Sequence, residues 1–203
     1  MSLREVVAAT GNPGKLKEFR EILEPQGFRV IDPKIAGWNP EVDEDQPTLE
    51  GNALKKARAA VEATGRIALA DDTGLFVDHL DGAPGIHSAR YAGPAQDMVQ
   101  NCAKLLRALE GVPENQRTAQ FRSVIVWADP QGGQTVFEGV CRGSITFEYR
   151  GEGGFGYDPV FLVEGTGQTF AEMSSQEKNA VSHRGKALQA LARFIVKTGK
   201  EKA

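Results

Sequence analysis

The sequence predicts an α/β protein built on a mixed β-sheet. Two observations carry that reading. The early chain alternates apolar, β-like runs with segments of helical period, and the middle holds two long β-rich runs joined by a short polar turn, the pattern of an antiparallel pair. At 203 residues, with 40% hydrophobic and 25% charged residues, the chain has ordinary globular composition and length enough to bury a core. No repeat, low-complexity tract or linker interrupts it, so residues 1–203 read as one domain, with two tightly joined lobes and no separate linker.

The elements follow in order. Val6-Val7-Ala8-Ala9 is a buried strand, broken by Gly11-Asn12-Pro13-Gly14. Leu16, Phe19, Ile22 and Leu23 recur at helical spacing, and Gln26-Gly27 ends that helix. Phe28 to Ile31 is a second strand. Residues 32–47 hold three prolines and a cluster of acids, and read as loop. Thr48 caps a helix with Ala53, Leu54, Ala57, Ala60 and Val61 on one face. Ile67 to Ala70 is β-like and runs into Asp71-Asp72-Thr73-Gly74, and a strand resumes at Leu75-Phe76-Val77. Gly82 to Gly85 is a turn, and Met98 to Leu109 a helix closed by Gly111. Ala119 to Ala128 and Thr135 to Phe147 form a hairpin around Asp129 to Gly133. Gly151 to Gly156 is glycine-rich loop, Ser174 to Glu177 has capping-box spacing, and a last helix carries Leu188, Leu191, Ala192 and Ile195.

A net charge of −3 gives no field for tight, non-specific binding of nucleic acid, so an anionic substrate needs a local basic site. No apolar run is long enough to span a bilayer. Met1-Ser2-Leu3-Arg4-Glu5 lacks the charged-then-apolar pattern of a signal peptide, and a cytoplasmic location is expected. Cys102 and Cys141, far apart and in no Cys-x-x-Cys pair, read as reduced, buried thiols.

Four segments are candidates for chemistry. Thr10-Gly11-Asn12-Pro13-Gly14-Lys15 sits between strand and helix, where backbone N–H groups, a helix N-terminus and a lysine together suit phosphate. It is not a Walker A loop, and taken alone it is equally a plain connection with a surface lysine. Asp43-Glu44-Asp45 and Asp71-Asp72 supply hard oxygen ligands of the kind Mg²⁺ takes together with substrate phosphates. The first trio reads equally as a solvated loop, whereas the second pair lies at a strand end, where ligand sites gather in open α/β sheets. Phe155, amid Gly153, Gly154 and Gly156 and followed by Tyr157-Asp158-Pro159, is either a platform for stacking on a base or a core residue in a tight turn. Glu177 to Arg184 brings Lys178, His183 and Arg184 to a helix junction. His79 and His87 carry no assigned role. With no Gly-x-Ser-x-Gly elbow and no histidine spacing for zinc, the signals favour metal-assisted attack of water on a phosphate ester.

These segments, with Gly82-Ala83-Pro84-Gly85 and Ser88-Ala89-Arg90-Tyr91, resemble in sequence order the inosine triphosphate pyrophosphatase family, over nearly the whole chain. The resemblance implies a long, twisted mixed sheet with flanking helices, two lobes around a central cleft, a homodimer and a Mg²⁺ requirement. It implies hydrolysis of non-standard purine nucleoside triphosphates (ITP, dITP, XTP) to the monophosphate and pyrophosphate. By motif position, Thr10, Gly11, Asn12, Pro13, Gly14 and Lys15 are the triphosphate turn. Asp72 is the catalytic carboxylate and metal ligand, and Thr73 a substrate contact. Phe155, Gly156, Tyr157 and Asp158 bind the base, and Lys178, His183 and Arg184 complete the substrate contacts. The rival readings are a nucleotide-binding module without turnover and a pyrophosphatase for other altered nucleotides, as in Maf-type proteins, which lack the Ser182-His183-Arg184 motif.

The chain departs from the family pattern twice. Asp43-Glu44-Asp45-Gln46 stands where relatives commonly have Glu-Glu-Thr-Gly; register favours Asp43 as the second metal ligand, with Glu44 the alternative. Gly51-Asn52-Ala53 stands where relatives often have Glu-Asn-Ala, at a cost of about 1 kcal/mol in helix propensity and with loss of a carboxylate. For choice of base, hypoxanthine and xanthine offer an acceptor oxygen at ring position 6, where adenine offers a donor. His183 and Arg184 are the expected donors to it, with Phe155 stacking on the ring.

Overall fold

The computed structural model describes residues 4–200, with side chains described up to Ile195. Met1 to Leu3, on which the signal-peptide reading partly rests, lie outside the described residues. The elements are β1 (Arg4–Ala8), α1 (Pro13–Leu23), β2 (Phe28–Ile31), α2 (Leu49–Thr64), β3 (Ala68–Val77), β4 (Pro84–Gly85), α3 (Met98–Ala108), β5 (Thr118–Ala128), β6 (Gln134–Ile145), β7 (Phe161–Val163), α4 (Ser175–Val181) and α5 (His183–Lys200). The sheet order is β2-β1-β3-β5-β6-β7, with β4 paired to β3. β1 runs parallel to both β2 and β3, while β3–β4 and β6–β7 are antiparallel, so the sheet is mixed, as expected. Among the described residues no helix is long and apolar enough to cross a membrane.

Local chemistry sets the helix boundaries. Asn12 caps α1 by accepting the N–H groups of Gly14 and Lys15, and Pro13 takes the first helical position, where its missing N–H costs nothing. Thr48 caps α2 and Asp97 caps α3. Ser174 and Glu177 form the reciprocal box predicted for α4.

The chain divides into two compact units. Of the described residues, the first comprises 4–72, 123–139 and 184–200, and the second 73–122 and 140–183. In the first unit Val6, Ala8, Leu69 and Ile125 from the strands pack with Phe19 and Leu23 of α1 and with Leu188, Leu191 and Ala192 of α5. The second unit has its own core. Leu75, Phe121 and Ile145 from the strands gather there with Leu105 of α3 and with Tyr157, Phe161 and Phe170.

Two expectations are corrected. The break foreseen at Asp71 to Gly74 is absent, and β3 runs unbroken through it. Two buried aspartates fit a strand here because their charges are paired, and Gly74 is glycine because a Cβ there would lie 2.6 Å from the Gly85 carbonyl of β4. The short β7 was not foreseen, since three residues between a Pro-containing turn and a glycine-rich one give no readable alternation.

Both cysteines are buried, and burial pushes the Cys102 thiol up to about 12. A thiol that stays protonated is a poor nucleophile. In the native protein at pH 8 neither cysteine should react with a thiol-specific reagent within minutes, while both should react in denaturant. Rapid labelling of the native chain would contradict the buried placement.

Candidate active site

Asp71 and Asp72 are successive residues of β3, so their side chains leave opposite faces of the strand. Asp71 has a fully buried side chain. Its Oδ2 lies 2.8 Å from Lys15 Nζ of α1, and the Nε and Nη2 of Arg184, in α5, donate to that same oxygen at 3.2 and 3.1 Å. The Ser123 hydroxyl donates to Asp71 Oδ1, and Arg184 Nη1 to Glu18 of α1. Burial alone would raise the Asp71 carboxyl, but the charges of Arg184 and Lys15 and the bonds from Lys15 and Ser123 outweigh it. They hold the group well below its ordinary value, so it is a fixed anion.

Asp72 faces α2. Its Oδ2 accepts a hydrogen bond from Asn52 Nδ2 at 3.1 Å, and its Oδ1 lies 3.3 Å from Lys56 Nζ. The Lys56 ammonium also reaches Glu44 Oε1 at 2.7 Å and the backbone oxygen of Asp71 at 2.8 Å. Burial raises the Asp72 carboxyl above its ordinary value, against the pull of Lys56 and Lys15, with Glu44 and Asp71 adding to the rise. Burial would lower Lys56, but Asp72 and Glu44 outweigh it and the ammonium is held charged. A single cation therefore bridges Glu44 and Asp72. Asp43, favoured by register, is exposed, so the structure brings Glu44 rather than Asp43 to Asp72.

Among the described residues no group of three or more His, Cys, Asp or Glu gathers as a metal cage. Two carboxylates already sharing a cation fit Mg²⁺, which usually takes one or two protein carboxylates and completes its shell with water and phosphate.

Thr10 Oγ1 accepts the Asn12 N–H, and Asn12 Oδ1 takes the N–H groups of Gly14 and Lys15 at 2.8 and 3.2 Å. Two backbone donors expected to face phosphate are thus engaged by the helix cap. Lys15, with Pro13 and Gly14 in the first turn of α1, is left as the turn's cation, and Gly11 and Asn12 are exposed.

In the second unit, Lys178 of α4 is buried with its Nζ 2.6 Å from Asp158 Oδ2 and 4.5 Å from the centroid of the half-buried Phe155 ring. The Phe155 N–H donates to that same Asp158 oxygen at 2.7 Å. Tyr157 is core: its hydroxyl donates to the Ser88 carbonyl at 2.8 Å. Asn101 donates to Ala89 O at 2.8 Å and accepts from the Ala92 N–H, so the Ser88-Ala89-Arg90-Tyr91 motif, whose first three residues form a 3-10 turn, is tied at several points. Gly156 holds a left-handed turn, at φ 68°, and Thr73 is half-buried at the start of this unit. His183 is buried and stacks on Phe121 at 4.6 Å. Arg184, expected to read the base, has its guanidinium buried on Asp71 and Glu18.

Sequence reasoning missed Glu18, Asn52, Lys56 and Ser123. Asn52 and Lys56 had a weak signal, polar residues at i, i+4 spacing in a helix whose other buried positions are apolar. Glu18 and Ser123 had none.

The Ham1 family model matches residues 6–194. The chain belongs to the Ham1 family. Among relatives in this family, the dITP/XTP pyrophosphatase of Desulforamulus reducens is 54% identical over 186 residues, covering 91% of this chain and 92% of its own. That of Bacillus subtilis is 45% identical over 193 residues, covering 95% and 98%. The structure of the Staphylococcus aureus Ham1 protein matches with a TM-score of 0.83 and 38% identity, covering 96% of this chain and all of that one. A dITP/XTP pyrophosphatase structure from Mycobacterium abscessus matches at 0.73 and 42%, covering 92% and 98%.

Within this Ham1 chain, removing Arg184 would leave Asp71 and Glu18 as buried carboxylates short of a partner. Arg184→Ala should cost about 3–5 kcal/mol of unfolding free energy, measured by urea denaturation. A loss below about 1 kcal/mol, the size typical of an exposed ion pair, would show that the arginine is not the counter-charge described.

Proposed function

We propose that this chain hydrolyses non-standard purine nucleoside triphosphates, such as ITP, dITP and XTP, to the monophosphate and pyrophosphate, and so cleanses the nucleotide pool. The observation that carries the reading is the pairing of Asp72 with Glu44 across one cation, on the strand whose preceding residue anchors Lys15. Curated relatives covering nearly the whole chain and named dITP/XTP pyrophosphatase support the substrate class.

Asp72 and Glu44 are the residues that would hold Mg²⁺, which when bound screens the triphosphate and polarises a phosphoryl oxygen. Asp72 takes the proton of the water that attacks the α-phosphorus. A carboxyl raised by burial is better matched to that task than an ordinary one. Lys15 and Lys56 offset charge on the departing pyrophosphate. Phe155 stacks on the base, and the donor to the 6-oxygen is Lys178, whose ammonium Asp158 fixes at 2.6 Å. Adenine would set its amino group against that donor. A binder without turnover would gain nothing from two carboxylates beside a triphosphate, since like charges repel. The reading includes a homodimer in the cytoplasm.

Incubated with ITP and Mg²⁺ in ¹⁸O-water, the protein should release IMP carrying the label and unlabelled pyrophosphate. IDP and orthophosphate as products, or label in the pyrophosphate, would contradict attack at the α-phosphorus. Chelation of the metal should abolish turnover.

Lys178→Gln should lower kcat/KM for ITP by about 10- to 100-fold and for ATP much less, as expected when a charged donor to a buried acceptor is lost. Equal losses on both nucleotides would remove Lys178 from base choice.

A further inference from the structure

Asp72 and Glu44 come from different segments, a strand and a loop, and they must meet with carboxylates aligned. Besides the Lys56 ammonium, a side chain that is neither acid nor base links the two segments. Asn52, 1% exposed in the second turn of α2, donates from Nδ2 to Asp72 Oδ2 at 3.1 Å and accepts at Oδ1 the backbone N–H of Gln46 at 3.0 Å. Only this orientation of the amide satisfies both ends, because the flipped one would set oxygen against carboxylate and N–H against N–H. Gln46 lies two residues after Glu44, so the bond to its N–H pins the acid loop. One turn further along α2, Lys56 meets the same two carboxylates through its ammonium.

The glycine beside Asn52 belongs to the same arrangement. A Cβ at Gly51 would lie 2.8 Å from Gln46 Cβ and 3.2 Å from Thr48 Oγ1. Gly51 is not in the left-handed region, so the glycine is required by space and not by backbone conformation. It occupies the third helical position after the Thr48 cap, where a capping-box glutamate would stand. The chain forgoes that cap to seat the Gln46 side chain. The Gln46 side chain thus occupies the space that a side chain at position 51 would need.

We infer that Asn52 is the positioning residue of this site: its amide holds Asp72 and the Glu44 loop as a pair, and the Gln46–Gly51 contact sets where that loop lies. The inference rests on the proposed hydrolytic reading for its kinetic consequence, but not for its structural one. Outer partners that orient ligands typically contribute about 10- to 100-fold in metal affinity or activity.

The test uses three variants of the full chain, read by ITP kinetics and by Mn²⁺ titration without nucleotide. Asn52→Leu removes both hydrogen bonds at similar volume. It should lower kcat by about 10- to 100-fold with KM changed less than about 3-fold, and weaken Mn²⁺ by about 10-fold. Gly51→Ala touches neither carboxylate nor Asn52, yet should weaken Mn²⁺ and kcat in the same direction by crowding Gln46. Adding Gln46→Gly to Gly51→Ala should restore both to within about 2-fold of wild type, since the closest contact, at 2.8 Å with Gln46, is gone while the backbone N–H at position 46 remains for Asn52. This rescue keeps the test decisive if Asn52→Leu folds poorly. Wild-type Mn²⁺ affinity in Gly51→Ala, failure of the double variant to recover, or no Mn²⁺ binding to the wild-type chain at millimolar concentration would overturn the inference. If the wild-type chain fails to hydrolyse ITP while the Mn²⁺ responses follow this order, the proposed function falls and the positioning role stands.

Discussion

The first unit depends on one buried anion. Asp71 lies with no side-chain exposure in the middle of β3, and a lone carboxylate there would be protonated or would unfold the strand. It persists because α1 and α5 each deliver a cation to the same oxygen, Lys15 and Arg184, while Ser123 from β5 satisfies the other. Four elements distant in sequence therefore meet at one side chain. Arg184 is shared onward with Glu18, which ties α1 to α5 directly. A buried network of this kind is weak evidence for net stability, since apolar packing serves as well. Once built, though, it is costly to break at any one member.

The alternation of a β-strand then does the rest. Because Asp71 is committed to one face, Asp72 emerges on the other, held at a fixed backbone position by its neighbour's ion pairs. On that face it meets α2 and the acid loop, where Lys56 spans Asp72 and Glu44 and Asn52 links Asp72 to Gln46. Two adjacent carboxylates thus have opposite electrostatics. One is lowered by cations and serves the fold, and the other is raised by burial and suits proton transfer. The second unit repeats the theme on a smaller scale, with Lys178 between the Asp158 carboxylate and the faces of Phe155 and Phe170.

Much of this was legible in the residues. Helical period marked α1, α2, α3 and α5, and cap chemistry at Thr48 and Ser174 placed two helix starts. The long alternating runs marked β5 and β6. What failed was whatever depends on pairing between distant segments. Asp71 and Asp72 read as a strand break because isolated acids disfavour strands, and nothing local announces that Lys15 and Arg184 neutralise one of them. Nothing local announces that Arg184 pairs with Glu18, 166 positions away. Nor is it announced that the Asn12 side chain caps its own turn. Register favoured Asp43 over Glu44, and only the placement of Lys56 on α2 distinguishes them.

Paired substitutions separate the roles of the two adjacent aspartates. Asp71→Asn and Asp72→Asn each remove one charge at constant shape, and each is compared with wild type for urea unfolding and ITP turnover. Asp71→Asn should lose about 3–5 kcal/mol of stability, because Lys15 and Arg184 lose a buried counter-ion. Asp72→Asn should stay within about 1 kcal/mol of wild type while turnover falls by at least about 100-fold. Equal destabilisation by the two substitutions, or an Asp72→Asn protein that still turns over ITP at the wild-type rate, would contradict this separation of roles.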